Sequence, residues 1–263
     1  MNRLPYFLLF ILFVSCQSHS QGKKTSQSIE DSIKNLKQNS PRLDVYLSNY
    51  KEDSNSSRSI GSVSNGSLEN GKLMSFKGPN FSYFDTTSYV QNRGFLNDKV
   101  KKSVLETYAV LNTEIPNRHF TIMECSNKHG GKIFPHRTHQ NGLSIDFMVP
   151  LIKNNKAYYH LDTLGGQHYL LDFDEKGRYS EDKNVSIDFD LIAKHLLILN
   201  EQVSKNNLKI SKVILKIELK DELFASKYGQ ELQKSGIYFA QSLTPMINSL
   251  HDDHYHIDLE EIK

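Results

Sequence analysis

Only two cysteines occur in the 263 residues, Cys16 and Cys125, so no disulfide framework supports the fold. Long apolar runs are also missing. The N-terminal stretch 6–14 is far shorter than the ~20 residues that cross a bilayer as a helix. Charge of one sign is scarce too, since a formal net charge of +2 leaves no electrostatic footprint for nucleic acid. No HExxH segment is present, which excludes the helical metallopeptidase class that draws its general base from that glutamate. Gly165-Gly166 is followed by no phosphate-loop lysine and Ser/Thr, and reads as a turn. What remains is a soluble composition, 38% hydrophobic and 24% charged, with eleven histidines.

The first residues bear on compartment. Arg3 and the apolar run 6–14 have the layout of a signal-peptide core. The run closes on Val14-Ser15-Cys16, which resembles a bacterial lipoprotein signal, with Phe13 where leucine is usual. The resemblance implies a signal peptide over 1–15, lipid on Cys16 as the new N-terminus, and a membrane-anchored periplasmic protein. Gln17 in place of aspartate favours the outer membrane by the same likeness. Two acyl chains, at about 0.8 kcal/mol per buried CH₂, make a stable anchor. Residues 16–72 are rich in Ser, Asn, Lys and Gln and read as a flexible tether, with one weak helical pattern over 29–36. Cys125, left without a partner, reads as a buried small residue rather than a nucleophile.

From about residue 73 the texture changes. Val100, Val104, Leu105, Tyr108 and Leu111 recur at helical spacing and predict a helix over 98–112. A second helix is expected over 188–203 and a third over 221–234. Strands are expected over 119–125, 143–149, 213–217 and 254–259, the second because Leu143, Ile145, Phe147 and Val149 alternate with Ser144, Asp146 and Met148. The sum is an α+β fold, with one catalytic domain over 73–263 whose central antiparallel sheet is flanked by helices.

Two short segments concentrate nitrogen and carboxylate donors: 131–146, with His136, His139 and Asp146, and 251–256, with His251, His254 and His256. On a strand, alternate residues share a face, so His254 and His256 project together and Asp146 projects away from the apolar side. Were the two strands neighbours, with Gly142 turning the loop that bears His139, His139, Asp146 and His256 would converge. Three such ligands with an open fourth position define a catalytic zinc, one Zn²⁺ per chain. His254 is then placed for proton transfer, His136 and His251 for orienting ligands or substrate, and Asp252 and Asp253 for fixing ligand imidazoles. Arg137 suits a substrate carboxylate as well as a solvated loop position. Tyr158, Tyr159 and Tyr169 read as packing.

The His-x6-Asp and His-x-His pair, His139 to Asp146 and His254 to His256, resembles that of the penicillin-insensitive murein endopeptidases over roughly residues 90–260. These belong to a wider zinc group that includes D-Ala-D-Ala dipeptidases and carboxypeptidases. The likeness implies metal ligation by His139, Asp146 and His256, catalysis by His254 with His136 and His251 beside it, and cleavage of D-Ala–diaminopimelate cross-links between peptidoglycan stem peptides. Ser144 stands where the family often carries an acidic residue. Two other readings remain open: a carboxypeptidase or dipeptidase trimming stem ends, and a wall-binding lipoprotein without turnover.

Overall fold

The computed structural model describes residues 42–262; the signal segment, Cys16 and the helical pattern over 29–36 lie outside them. The described chain opens with helix α1 (Leu43–Asn49) and a hairpin of β1 (Arg58–Ser62) and β2 (Asn65–Glu69). Within the described residues, 42–72 of the tether expected over 16–72 carry helix and strand instead, and its boundary at residue 72 falls inside the strand Lys72–Leu73. The composition misleads because this segment folds by docking rather than on a core of its own. Tyr46 meets Tyr89 edge-on at 5.8 Å and Tyr50 meets Phe95 at 5.9 Å. Leu68 is buried among core residues, and Lys72 Nζ donates to the carbonyls of Asp53 and Asn55. A polar two-stranded hairpin is marginal alone and needs such a partner surface.

Three more strands follow in the chain, β3 (Phe81–Tyr83), β4 (Phe120–Ile122) and β5 (Ser144–Met148), and later β6 (Leu208–Ile214) and β7 (His254–Glu261). They form one sheet in the order β6-β7-β5-β4-β3, antiparallel as expected except for the parallel edge pair β3–β4. Helix α2 (Asp98–Glu114) starts at Asn97, whose side chain accepts from Lys99 N, an N-cap that satisfies one orphan backbone donor. Helix α3 (Phe189–Lys205) starts likewise at Asp188, which accepts from Leu191 N. Both helices present an apolar stripe to the sheet, with Val104, Tyr108, Leu196 and Leu199 buried beneath it. Each such side chain contributes roughly 1.5–3 kcal/mol by leaving water.

Two expectations shift. The strand expected over 213–217 lies instead at Leu208–Ile214, because a bulge between Ile210 and Lys212 breaks its alternation. The single helix expected over 221–234 is two, α4 (Lys220–Ala225) and α5 (Gly229–Lys234), separated where Ser226 turns extended and its carbonyl accepts from Gly229 N. A last short helix, α6 (Pro245–Ser249), precedes β7 and is capped by Thr244.

Candidate active site

The register of β5 and β7 builds the site. His256 lies opposite Asp146, His254 opposite Met148 and Asp258 opposite Ser144. Opposed residues of an antiparallel pair share a face, so His254, His256, Asp258, Asp146 and Ser144 make one polar surface. Tyr255, Phe147, Ile145 and Ile257 take the other face, where Phe147 and Tyr255 stack at 5.6 Å and Tyr255 Oη bonds His195 Nδ1 at 2.9 Å under α3.

His139 comes from the loop before β5. Gly142 there has φ +80°, and a Cβ would sit 2.8 Å from Asn97 N, so only glycine fits. His139 itself has φ +65°, a conformation that costs a non-glycine residue on the order of 1–2 kcal/mol and persists only where surroundings enforce it. The enforcing contacts come from the N-terminal hairpin: Gln140 N donates to Val63 O at 3.0 Å, Gly131 N to Gly66 O at 3.2 Å, and Leu68 N to His129 O at 3.0 Å.

Three donor atoms meet at the centre. His139 Nε2 lies 3.1 Å from His256 Nδ1 and 3.3 Å from Asp146 Oδ1, which is 2.7 Å from His256 Nδ1. Ligands at 2.0–2.1 Å from a tetrahedral zinc would stand about 3.3–3.4 Å apart, so the spacing is slightly contracted but of the right scale. His136 is the fourth member, its Nδ1 3.6 Å from Asp146 Oδ2; one atom each from His136, His139 and Asp146 lies within 4.8 Å of the others, close enough to share an ion. Asp146 Oδ2 and His139 Nδ1 are buried without a hydrogen-bond partner among the described residues. Buried acceptors packed this closely repel one another unless a cation or proton lies between them, so the donor set fits a divalent metal.

A layer of carboxylates stands behind the histidines. Asp258 Oδ1 accepts from His256 Nε2 and from Ser144 Oγ, both at 2.7 Å, and Lys212 Nζ is 2.7 Å from its other oxygen. Burial opposes a charged His256, but Asp258 and Asp146 carry its imidazolium up to about 10. Asp253 Oδ1 accepts from His254 Nδ1, which leaves Nε2 for the cavity that His254 lines. Asp252 faces away, accepting from Lys216 Nζ at 3.0 Å and Phe173 N at 3.3 Å. The expectation that both aspartates orient ligand imidazoles is therefore corrected. Asp258 serves the His256 imidazole, Asp253 serves His254, and Asp252 serves neither.

Glu124 was not anticipated. Its carboxylate lies 3.0 Å from His136 Nε2 and accepts from Arg93 Nη1 and Ser88 Oγ at 2.9 Å. Burial pushes the Glu124 carboxyl up, and the neighbouring His136 and the Arg93 guanidinium bring it down to about 2. The available signal was an acidic residue two positions after the strand Phe120–Ile122, in a stretch where Met123 and Cys125 flank it. His251 lies over the His254 ring at 4.8 Å, its Nδ1 donating to Ile247 O at 2.6 Å, and burial lowers it to about 3.

These groups open into a cavity of about 360 Å³ whose apolar wall includes Phe84, Phe134, Leu243, Ile247 and Leu250. Arg93 and Lys212 line it but are held by Glu124 and Asp258. Arg137 lines it with an exposed side chain, and Tyr169, expected to be packing, lines it as well.

A model of the family described as penicillin-insensitive murein endopeptidase matches residues 59–261, a span that takes in the hairpin, the loop bearing His139 and both site strands. No curated protein matches the chain.

Proposed function

Because the chain belongs to the penicillin-insensitive murein endopeptidase family, we propose that it is a zinc-dependent amide hydrolase that cuts the D-Ala–diaminopimelate cross-link between stem peptides. The observation that carries this reading is the approach of His139 Nε2, Asp146 Oδ1 and His256 Nδ1 to within 3.3 Å of one another beside a cavity. These three would hold the metal. Zinc, when bound, polarises a carbonyl and lowers the pKa of a water it holds toward ~7.

The chain's own residues do the rest. Asp258 fixes His256 through Nε2 and so presents Nδ1. Asp253 holds His254 through Nδ1, which aims Nε2 at the cavity as the group that takes a proton from the attacking water and returns it to the leaving nitrogen. Glu124 steadies His136 at the mouth. The apolar wall accommodates alanyl and aliphatic portions of a stem peptide, and the Arg137 guanidinium suits its carboxylates. The lipid on Cys16 would hold the enzyme at the outer membrane, on the periplasmic side facing the wall.

Digesting purified muropeptides with and without a chelator tests the reading. Cross-linked dimers should become monomers only when metal is present, and monomeric pentapeptides should keep their terminal D-alanine. Trimmed pentapeptides with intact dimers would favour the carboxypeptidase reading; a metal-loaded protein that alters neither would leave a wall-binding role.

A further inference from the structure

Tyr169 shares the cavity with His136, His251 and His254. Its hydroxyl is buried, yet no donor or acceptor among the described residues meets it. An unpaired buried hydroxyl has given up its hydrogen bonds to water without replacement, and each such group in a native structure requires an explanation. Loose packing does not supply one. Phe84 meets the ring edge-on at 5.7 Å, His254 at 5.3 Å and 86°, and His136 at 6.3 Å. The 3₁₀ segment that carries it, Leu161–Leu170, is also pinned at both sides of the site. Gly166 N donates to Asp85 Oδ2 at 3.1 Å, and His168 Nε2 donates to the carbonyl of Asp253 at 3.0 Å. The phenol ring is thus held between Phe84, His136 and His254 on the cavity wall, with its hydroxyl buried and unpaired.

We infer that Tyr169 is a further catalytic residue, whose O–H donates a hydrogen bond to the carbonyl oxygen of the scissile amide as that oxygen gains negative charge. The inference rests on the amide-hydrolase reading above. In the step concerned, a bond forms between the water oxygen and the carbonyl carbon while the C=O electron pair moves onto oxygen. One proton passes from the water to His254 and on to the nitrogen as the C–N bond breaks. Tyr169 keeps its own proton throughout. Burial, then the carboxylates of Glu124, Asp146 and Asp253, push the phenol well above its ordinary value. Such a prearranged donor stabilises the developing oxyanion more than the ground-state carbonyl.

Tyr169→Phe removes the hydroxyl and keeps the ring that Phe84 packs against. On dimeric muropeptide its kcat should fall roughly 10²–10³-fold, the usual effect of deleting an oxyanion donor, with KM nearly unchanged. Metal content should match the wild type, and Tm should be no lower, since the variant loses an unpaired buried hydroxyl. Affinity for a phosphinate analogue of the D-Ala–diamino acid bond, which presents the oxyanion, should fall by a comparable factor. A variant within about threefold of wild-type kcat, an undiminished phosphinate affinity, or loss of metal would each overturn the assignment. Wild-type turnover tests the hydrolase reading, whereas the ratio of Tyr169→Phe to wild type tests this one, so the two can fail separately.

Discussion

Removing His139 and removing His254 should disable the site in different ways. His139→Ala or Asp146→Ala deletes an atom of the proposed ligand cluster at 3.3 Å, so metal and activity should vanish together, by metal analysis and dimer digestion. His254→Ala deletes a proton carrier and should retain metal while turnover falls roughly 10²–10⁴-fold. Equal metal loss in all three would place His254 among the ligands. Away from the site, Asp162 offers a pH test. Burial pushes its carboxyl up to about 7, with Arg118 pulling the other way, and Oδ1 has no partner among the described residues. A folded-state pKa above the unfolded ~3.9 favours the protonated fold. Its stability contribution is whole below pH 4 and is lost as pH rises through 7, at most about 4 kcal/mol. Asp162→Asn should therefore melt several degrees above wild type at pH 8 and no higher at pH 4, by thermal scans; an offset independent of pH would remove titration as the cause. Legibility at this scale followed chemistry that is local in sequence. The histidines announced themselves by spacing. Glu124 did not, because its partners Ser88, Arg93 and His136 come from two segments distant from it in the chain, and Tyr169 lies in a 3₁₀ stretch with no periodicity to mark it.

At the scale of elements, the hairpin β1–β2 is the unexpected part of the machinery. It accepts from Gln140 and Gly131 on either side of the left-handed His139. A Cβ on Gly66 would fall 2.4 Å from the carbonyls of Ile60 and Ser62 and 2.9 Å from Asn141 Cβ. Gly66→Ala should thus push the hairpin off the loop and weaken metal retention about 10–100-fold, as loss of outer supports does, with unchanged far-UV circular dichroism. Chelator competition reads this; wild-type affinity would mean that the loop stands without the hairpin. Composition concealed the hairpin, since its Ser, Asn and Gly residues look solvated and its one deeply buried apolar residue is Leu68. Strands β5 and β7 were legible because each keeps strict alternation, whereas β6 was misplaced by its bulge.

For the molecule as a whole, the α+β arrangement followed from periodicity, but the neighbourhood of β5 and β7 did not. It was a condition the motifs required, and the register supplies it. What periodicity could not give was depth. The same sheet that buries Tyr255 and Phe147 beneath α2 and α3 turns its other face into the cavity floor, so stability and chemistry share one pair of strands. No helix among the described residues is long and apolar enough to cross a membrane.

β7 is the last strand among the described residues, yet it lies between β6 and β5 rather than at the sheet's edge. Synthesis runs from the other end, and earlier segments emerge first. A nascent or clipped polypeptide that stops before His254 lacks the middle of its sheet along with two imidazoles of the centre. On the proposed reading such a fragment cannot cut the wall, whatever else it has folded, until that strand is threaded into place.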